Sequence, residues 1–256
     1  MIDCQIDGAV ALVTLNNPVA NTFTAEGLAQ LATLVATLDG NSAVCAVVIT
    51  GAGEKFFSAG ADLKSFADGD KVRARVLAQR FGAAFEALQN CRPVVIAAIN
   101  GYAMGGGLEC ALACDLRIAE EQAQMALPEA SVGLLCCGCG TQTLPWLVGE
   151  GWAKRMILTN ERVDAATALR IGLVEQVVAR GQARTAALEL AARVASLSPR
   201  AVQFSKELIH LGRGGTPRQA ALALERERFV DLFDGTDQRE GVAAFLEKRK
   251  PVWKNA

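Results

Sequence analysis

The sequence predicts an α/β fold whose carboxyl half becomes mainly helical. Two observations carry this. β-Branched apolar runs at Val10 to Leu15, Val44 to Thr50 and Val94 to Ile99 enclose a helical pattern from Thr24 to Leu38, the rhythm of strand, helix, strand crossovers. After Thr141 the period changes to that of amphipathic helices.

Taken in order, the second and third strand candidates are followed by glycine: Gly51 and Gly53 after the second, then Gly101 and the run Gly105-Gly106-Gly107 after the third. Strands that end this way turn tightly and bring backbone close to whatever binds there, and ligand crevices of α/β folds lie at those carboxyl ends. Helices are expected at Trp146 to Leu158, Ala165 to Ile171, Ala183 to Leu197, Ala201 to His210 and Arg218 to Phe233, with one strand at Leu173 to Val178. Ser198-Pro199 and Thr216-Pro217 read as helix starts, a capping hydroxyl followed by proline at the first helical position. The expected division is a core over 1–195 and a helical region over 196–256.

A chain of 256 residues is long enough for a sizeable core. Apolar residues make up 51%, yet no apolar run approaches the ~18 residues of a membrane span, so the surplus points to subunit contacts. A formal net charge of -1 argues against a nucleic-acid partner. Met1 to Gly8 carries two aspartates and no basic or apolar leader pattern, and the expected location is cytoplasmic. The eight cysteines lie mostly in apolar stretches and are expected to be free thiols.

The most informative segment runs from Pro93 to Cys110, where a buried strand turns through Gly105-Gly106-Gly107 into a helix carrying Glu109. Free backbone N–H groups at such a helix start suit an oxyanion or phosphate; the same glycines also suit a close strand-to-helix contact. Competing motifs fail on chemistry. A P-loop needs Lys-Ser/Thr where this chain has Leu108-Glu109, the dinucleotide fingerprint spaces its glycines differently, and a nucleophile elbow needs a hydroxyl where Ala103 stands. The one histidine, His210, reads as structural, which leaves carboxylates, cysteines or lysines for acid and base work. Glu109 and Glu129 are the candidates, although either alone is equally compatible with a solvated or ion-paired carboxylate.

Four separated segments then resemble successive motifs of the crotonase (enoyl-CoA hydratase/isomerase) superfamily: Phe57 to Lys64, Asn100 to Glu109, Cys114 to Ala119 and Ala126 to Glu129. Arg239 to Arg249 is similar to the family's closing helix, so the resemblance spans nearly the whole chain. It implies a crotonase-like spiral of repeated ββα turns with a helical C-terminal trimerisation region, as a homotrimer or a homohexamer. It implies an oxyanion hole made by the backbone N–H groups of Ala61 and Gly106. Hydratases of the family carry both glutamates, which implies that Glu109 deprotonates the attacking water while Glu129 delivers a proton to C2. The implied reaction is syn addition of water to a trans-2-enoyl-CoA. Coenzyme A is part of the substrate, with no separate cofactor and no metal; Ala59, Ala61, Asp62, Leu63 and Lys64 would hold it, with Lys248 near its phosphates.

One stretch departs from the family pattern. Cys136-Cys137-Gly138-Cys139-Gly140 stands where Pro-Gly-Ala-Gly-Gly is common, which puts water positioning in question, because the N–H of the residue at Cys137 serves that role only if φ there is negative. The three thiols are expected to line the acyl pocket; Cys-Cys-x-Cys lacks the paired spacing of zinc sites. Rival readings are double-bond isomerisation or dehydration by the same fold, an RNA-binding homologue, and a catalytically silent subunit.

Overall fold

The computed structural model describes residues 2–255. Strands β1 (Ile2–Asp7) and β2 (Val10–Leu15) form an antiparallel hairpin, with Gly8 at φ 54° in its two-residue turn. Helix α1 (Ala25–Gly40) follows, begun by Thr24, whose hydroxyl accepts the N–H of Gly27 at 3.1 Å.

Three ββα turns come next: β3 (Ala46–Gly51), β4 (Phe56–Ser58) and α2 (Lys71–Asn90); β5 (Val94–Ile99), β6 (Tyr102–Met104) and α3 (Gly106–Leu112); β7 (Leu116–Glu120), β8 (Gln124–Ala126) and α4 (Gly140–Leu158). The first strand of each turn joins one sheet and the second joins another. β9 (Val163–Asp164), α5 (Ala165–Arg170), β10 (Gln176–Val178) and α6 (Ala183–Ala195) complete the layers. The larger sheet has the order β1-β2-β3-β5-β7-β10 and the smaller β4-β6-β8-β9, parallel except for the β1–β2 and β8–β9 pairs. This is the expected α/β class, and the repetition of ββα turns is the spiral that the family resemblance implied.

β3 and β5 are buried along their whole length, as continuous apolar runs require. Val47, Ile49, Val95, Ala97 and Ile99 face the main core, while Ala46, Val48, Ile96 and Ala98 face α6. α6 meets them with Ala183, Ala187 and Ala191, three fully buried alanines at four-residue spacing that let the helix backbone approach closely.

The chain ends in α7 (Pro199–Arg213), α8 (Arg218–Asp231) and α9 (Asp237–Leu246). Lys206 of α7 ties this region to the sheet: its Nζ lies 2.7 Å from Asp115 Oδ2 and donates to Pro93 O at 2.9 Å. The tail folds back, with Trp253 donating to Ser196 O at 2.8 Å and Asn255 Nδ2 to Ser42 O at 2.7 Å. No helix among the described residues is long and apolar enough to cross a membrane.

Three local expectations shift. α4 starts at Gly140, six residues before Trp146, because Pro145 is accommodated near its start and the real break is a kink at Gly149, φ 78°. Only Gln176–Val178 of the expected 173–178 strand pairs; the N–H groups of Leu173 and Val174 turn back to Ala168 O at the end of α5. Ser198 caps α7 with Pro199 in its first turn, but Pro217 itself is the cap residue of α8, which starts one residue later than expected, since the extended ψ of 134° at Pro217 keeps it out of the helix.

Candidate active site

The site forms where the turns after β4 and β6 meet. Asn100 braces the approach: Nδ2 donates to Gly51 O at 3.1 Å and Gly53 O at 2.8 Å, and Oδ1 accepts the N–H of Gly51 at 3.1 Å. On the other side, Ser58 donates to Asn21 O at 2.7 Å and accepts the N–H of Gly60 at 3.1 Å, while Asn21, 4% exposed, donates to Ala52 O and Phe56 O. These buried amides and the hydroxyl fix both turns.

Gly60 has φ 88°, and a Cβ there would lie 2.6 Å from Met104 O and 3.0 Å from Gly106 N; only glycine permits that approach. Gly105, at φ 52°, opens α3 and leaves Gly106 as its first helical residue. A Cβ on Gly106 would be 3.7 Å from Ala61 N, so the Ala61 and Gly106 amides are neighbours. Neither N–H donates to any acceptor among the described residues. Two adjacent unpaired donors at a helix start form a cradle for an oxygen that gains negative charge.

Glu109, 2% exposed, sits one turn into α3. Its Oε1 accepts three backbone N–H groups from the entry into α4: Gly138 at 2.9 Å, Cys139 at 2.8 Å and Gly140 at 2.7 Å. Glu129, partly buried, follows β8 and faces the same space, for a Cβ on Gly105 would come within 2.9 Å of its Oε1. Its Oε2 is buried without a hydrogen-bond partner. Burial pushes the Glu129 carboxyl above its ordinary range, and the neighbouring Glu109 adds to the rise. Below the site, Phe23, Phe81 and Phe85 pack edge to face, with Phe81 against Gly106 and Phe85 against Gly138.

The fold, the paired carboxylates and the unpaired donors can be set beside known proteins. The family model "Enoyl-CoA hydratase/isomerase" matches residues 5–256. The chain belongs to this family. The hydratase/isomerase chain is 40% identical to the short-chain-enoyl-CoA hydratase of Clostridium acetobutylicum, over 95% of this chain and 94% of that protein. A solved structure of DspI from Pseudomonas aeruginosa is 65% identical, with a TM-score of 0.97 over 99% of this chain and 96% of that one. A crystal structure of an enoyl-CoA hydratase from Bacillus anthracis is 36% identical with a TM-score of 0.96, over 100% of this chain and 99% of that one.

Ala59, Ala61, Asp62, Leu63 and Lys64 form the turn beside the donors. Asp62 caps a single 3-10 turn, its Oδ1 accepting the Lys64 N–H at 3.1 Å, and the Lys64 side chain is exposed. Lys248 lies just beyond α9, exposed, and shares no described contact with this turn or with either glutamate.

The cysteine stretch of this hydratase/isomerase does several separate things. Cys139 places its thiol 3.3 Å from Glu109 O, donating to the backbone of α3. Cys137 is exposed and is absent from the positive-φ residues, so its N–H has the backbone conformation that water positioning requires. Cys136 is buried beside Glu129. Desolvation and Glu109 push all three thiols up, with Glu129 adding to the rise at Cys136 and Cys137; Cys137 reaches about 11 and Cys139 about 12, which keeps them protonated at neutral pH. Sequence reasoning missed the Gly138 to Gly140 amides as holders of Glu109; glycines just ahead of Thr141-Gln142 were the available sign of a helix start.

Proposed function

We propose that this protein is an enoyl-CoA hydratase, adding water across the C2=C3 bond of a trans-2-enoyl-CoA to give a 3-hydroxyacyl-CoA. The observation that carries the reading is the pairing of two carboxylates, one anchored by three amides and one with a free buried oxygen, beside two unpaired backbone donors.

The substrate thioester oxygen is held by the N–H groups of Ala61 and Gly106. As water attacks C3, charge moves to that oxygen, and each fixed donor is worth ~3 kcal/mol in the transition state. Glu109 orients and deprotonates the water, helped by the Cys137 N–H. Glu129, whose carboxyl is raised by burial toward the protonated form, delivers the proton to C2 from the same side, giving syn addition. The Ala59 to Lys64 turn holds the pantetheine end of coenzyme A through its backbone, with Lys64 and Lys248 toward the phosphates. Coenzyme A arrives with the substrate, and the chemistry calls for no other cofactor. The reaction is one of fatty-acyl β-oxidation, and the unbridged thiols suit the cytoplasm.

Phe229, Val230, Phe233, Phe245 and Leu246 expose large apolar surface on the C-terminal helices, which supports assembly into a homotrimer or a homohexamer.

The test is loss of enone absorbance when the protein meets crotonyl-CoA, with products identified by mass. Turnover with a gain of one water is expected. Glu109→Gln and Glu129→Gln are each expected to lower kcat by about 10²- to 10⁴-fold. A product of unchanged mass with a shifted double bond would replace hydration by isomerisation.

A further inference from the structure

The Ala61 N–H is free because the chain around it is clamped from the other side. A short segment, Ala20 to Phe23, runs beside residues 59–62 and meets them in a parallel bridge between Phe23 and Ala61. Ala59 N–H donates to Ala20 O at 2.9 Å, Phe23 N–H to Gly60 O at 2.8 Å and Asp62 N–H to Phe23 O at 3.1 Å. In such a bridge Phe23 bonds both neighbours of Ala61, and the groups of Ala61 itself point away. The remaining amide of the turn, Gly60 N–H, is taken by the Ser58 hydroxyl, which in turn donates to Asn21 O. Of the four amides from Ala59 to Asp62, this segment holds three, directly or through Ser58, and leaves Ala61 beside Gly106.

Asn21 gives the segment its shape. Its φ of 53° lies in the left-handed region, which asparagine tolerates better than most side chains, and its carbonyl is aimed at Ser58. The side chain anchors that conformation. Nδ2 donates to Ala52 O at 3.0 Å and Phe56 O at 2.9 Å, the two ends of the loop from β3 to β4, and Oδ1 accepts the Asn17 N–H at 3.3 Å.

We propose that Asn21 is a positioning residue for the oxyanion hole: acting through the Ser58 hydroxyl, it fixes the direction of the Ala61 N–H. This rests on the reading of the Ala61 and Gly106 amides as the holders of the thioester oxygen. The Gly106 N–H is placed separately, by the start of α3. A loosened Ala59 to Asp62 turn therefore weakens one donor and spares the other.

Asn21→Gly keeps the left-handed conformation and deletes the amide. Ser58→Ala deletes the relay hydroxyl, and Ser58→Cys keeps a donor in a similar volume. Polarisation of the thioester is read by isotope-edited infrared difference spectroscopy on bound butanoyl-CoA labelled with carbon-13 at its carbonyl, a saturated thioester that cannot be hydrated. Hydrogen bonds to the carbonyl lower its stretching frequency. Wild type is expected to lower it, and Asn21→Gly and Ser58→Ala to lose about half of that shift, one donor of two. Ser58→Cys should keep most of it. In crotonyl-CoA hydration, Asn21→Gly and Ser58→Ala are expected to lose about 10- to 100-fold in kcat, with KM within about 2-fold of wild type.

Folded Asn21→Gly and Ser58→Ala proteins that give the full wild-type carbonyl shift overturn the proposal, even if both are less stable. Should Asn21→Gly fail to fold, judged by near-UV circular dichroism, Ser58→Ala carries the test. A wild type that leaves the bound carbonyl unshifted overturns the oxyanion-hole reading and this proposal with it. A shift that the variants lose, in a protein that does not hydrate crotonyl-CoA, would refute hydration and support the positioning role.

Discussion

At the scale of single residues, Glu129 works at a thermodynamic cost. Its carboxyl is raised above the unfolded value by burial, and one oxygen lacks any partner. The folded state therefore favours the protonated form, so no penalty exists below the ordinary carboxyl range, and stability is lost as pH rises through the raised pKa. Glu129→Gln, which cannot ionise, is expected to be more stable than wild type at pH 8 by about 1 kcal/mol, discounted for the partly open setting, or a Tm gain of about 2 to 4 °C. The difference should vanish near pH 4. Thermal unfolding of the two proteins at both values checks this, and an equal Tm at pH 8 would show that the carboxyl is solvated. Glu109 differs in its partners, since three amides satisfy its Oε1. Both residues could be picked out from the chain because the motifs around them are local. The distinction between the two environments could not, because it depends on amides contributed from residues 29 to 31 places away.

At the scale of elements, the start of α4 decides how the site is held. A Cβ on Gly138 would lie 2.4 Å from the Phe85 ring and 3.3 Å from Glu109 Cδ. Gly138→Ala must push the ring or the turn, and either movement disturbs the amides that grip Glu109. The expected result is a loss of about 1 to 3 kcal/mol in denaturant unfolding and a fall in kcat of about 10- to 100-fold. Wild-type kcat in a folded variant would mean that the grip is dispensable. Strands β2 and β5 were legible to the residue, because continuous β-branched apolar runs leave no helical alternative at that length. The strands of the second sheet escaped notice for a physical reason: Phe56–Ser58, Tyr102–Met104 and Gln124–Ala126 are three residues each, too short for any period to register. α2 was also unread, although its Leu77, Phe81, Ala84, Phe85 and Leu88 mark one buried face; Lys71, Arg73 and Arg75 dilute the pattern at its start.

At the scale of the whole molecule, the larger sheet is enclosed on both faces, while the C-terminal helices leave several large apolar side chains uncovered. Phe245 is 83% and Leu246 74% exposed. If these residues pack against other copies, Phe245→Glu is expected to shift the mass in analytical ultracentrifugation from a trimer or hexamer toward monomer, with a lower Tm. A wild type that sediments as a monomer at micromolar concentration would refute the assembly. Composition announced this surplus, an apolar fraction of 51%, without saying where it lies. Locating it needed the sheet, since only the sheet shows which helices it leaves uncovered.

The triple grip on Glu109 Oε1 has a bearing on optical purity. In the proposed hydration, with that oxygen saturated, Oε2 alone would remain to work on water, and a base with one working oxygen acts from one direction. The handedness of the new carbinol centre would then be set by main-chain amides, which no side chain has to supply.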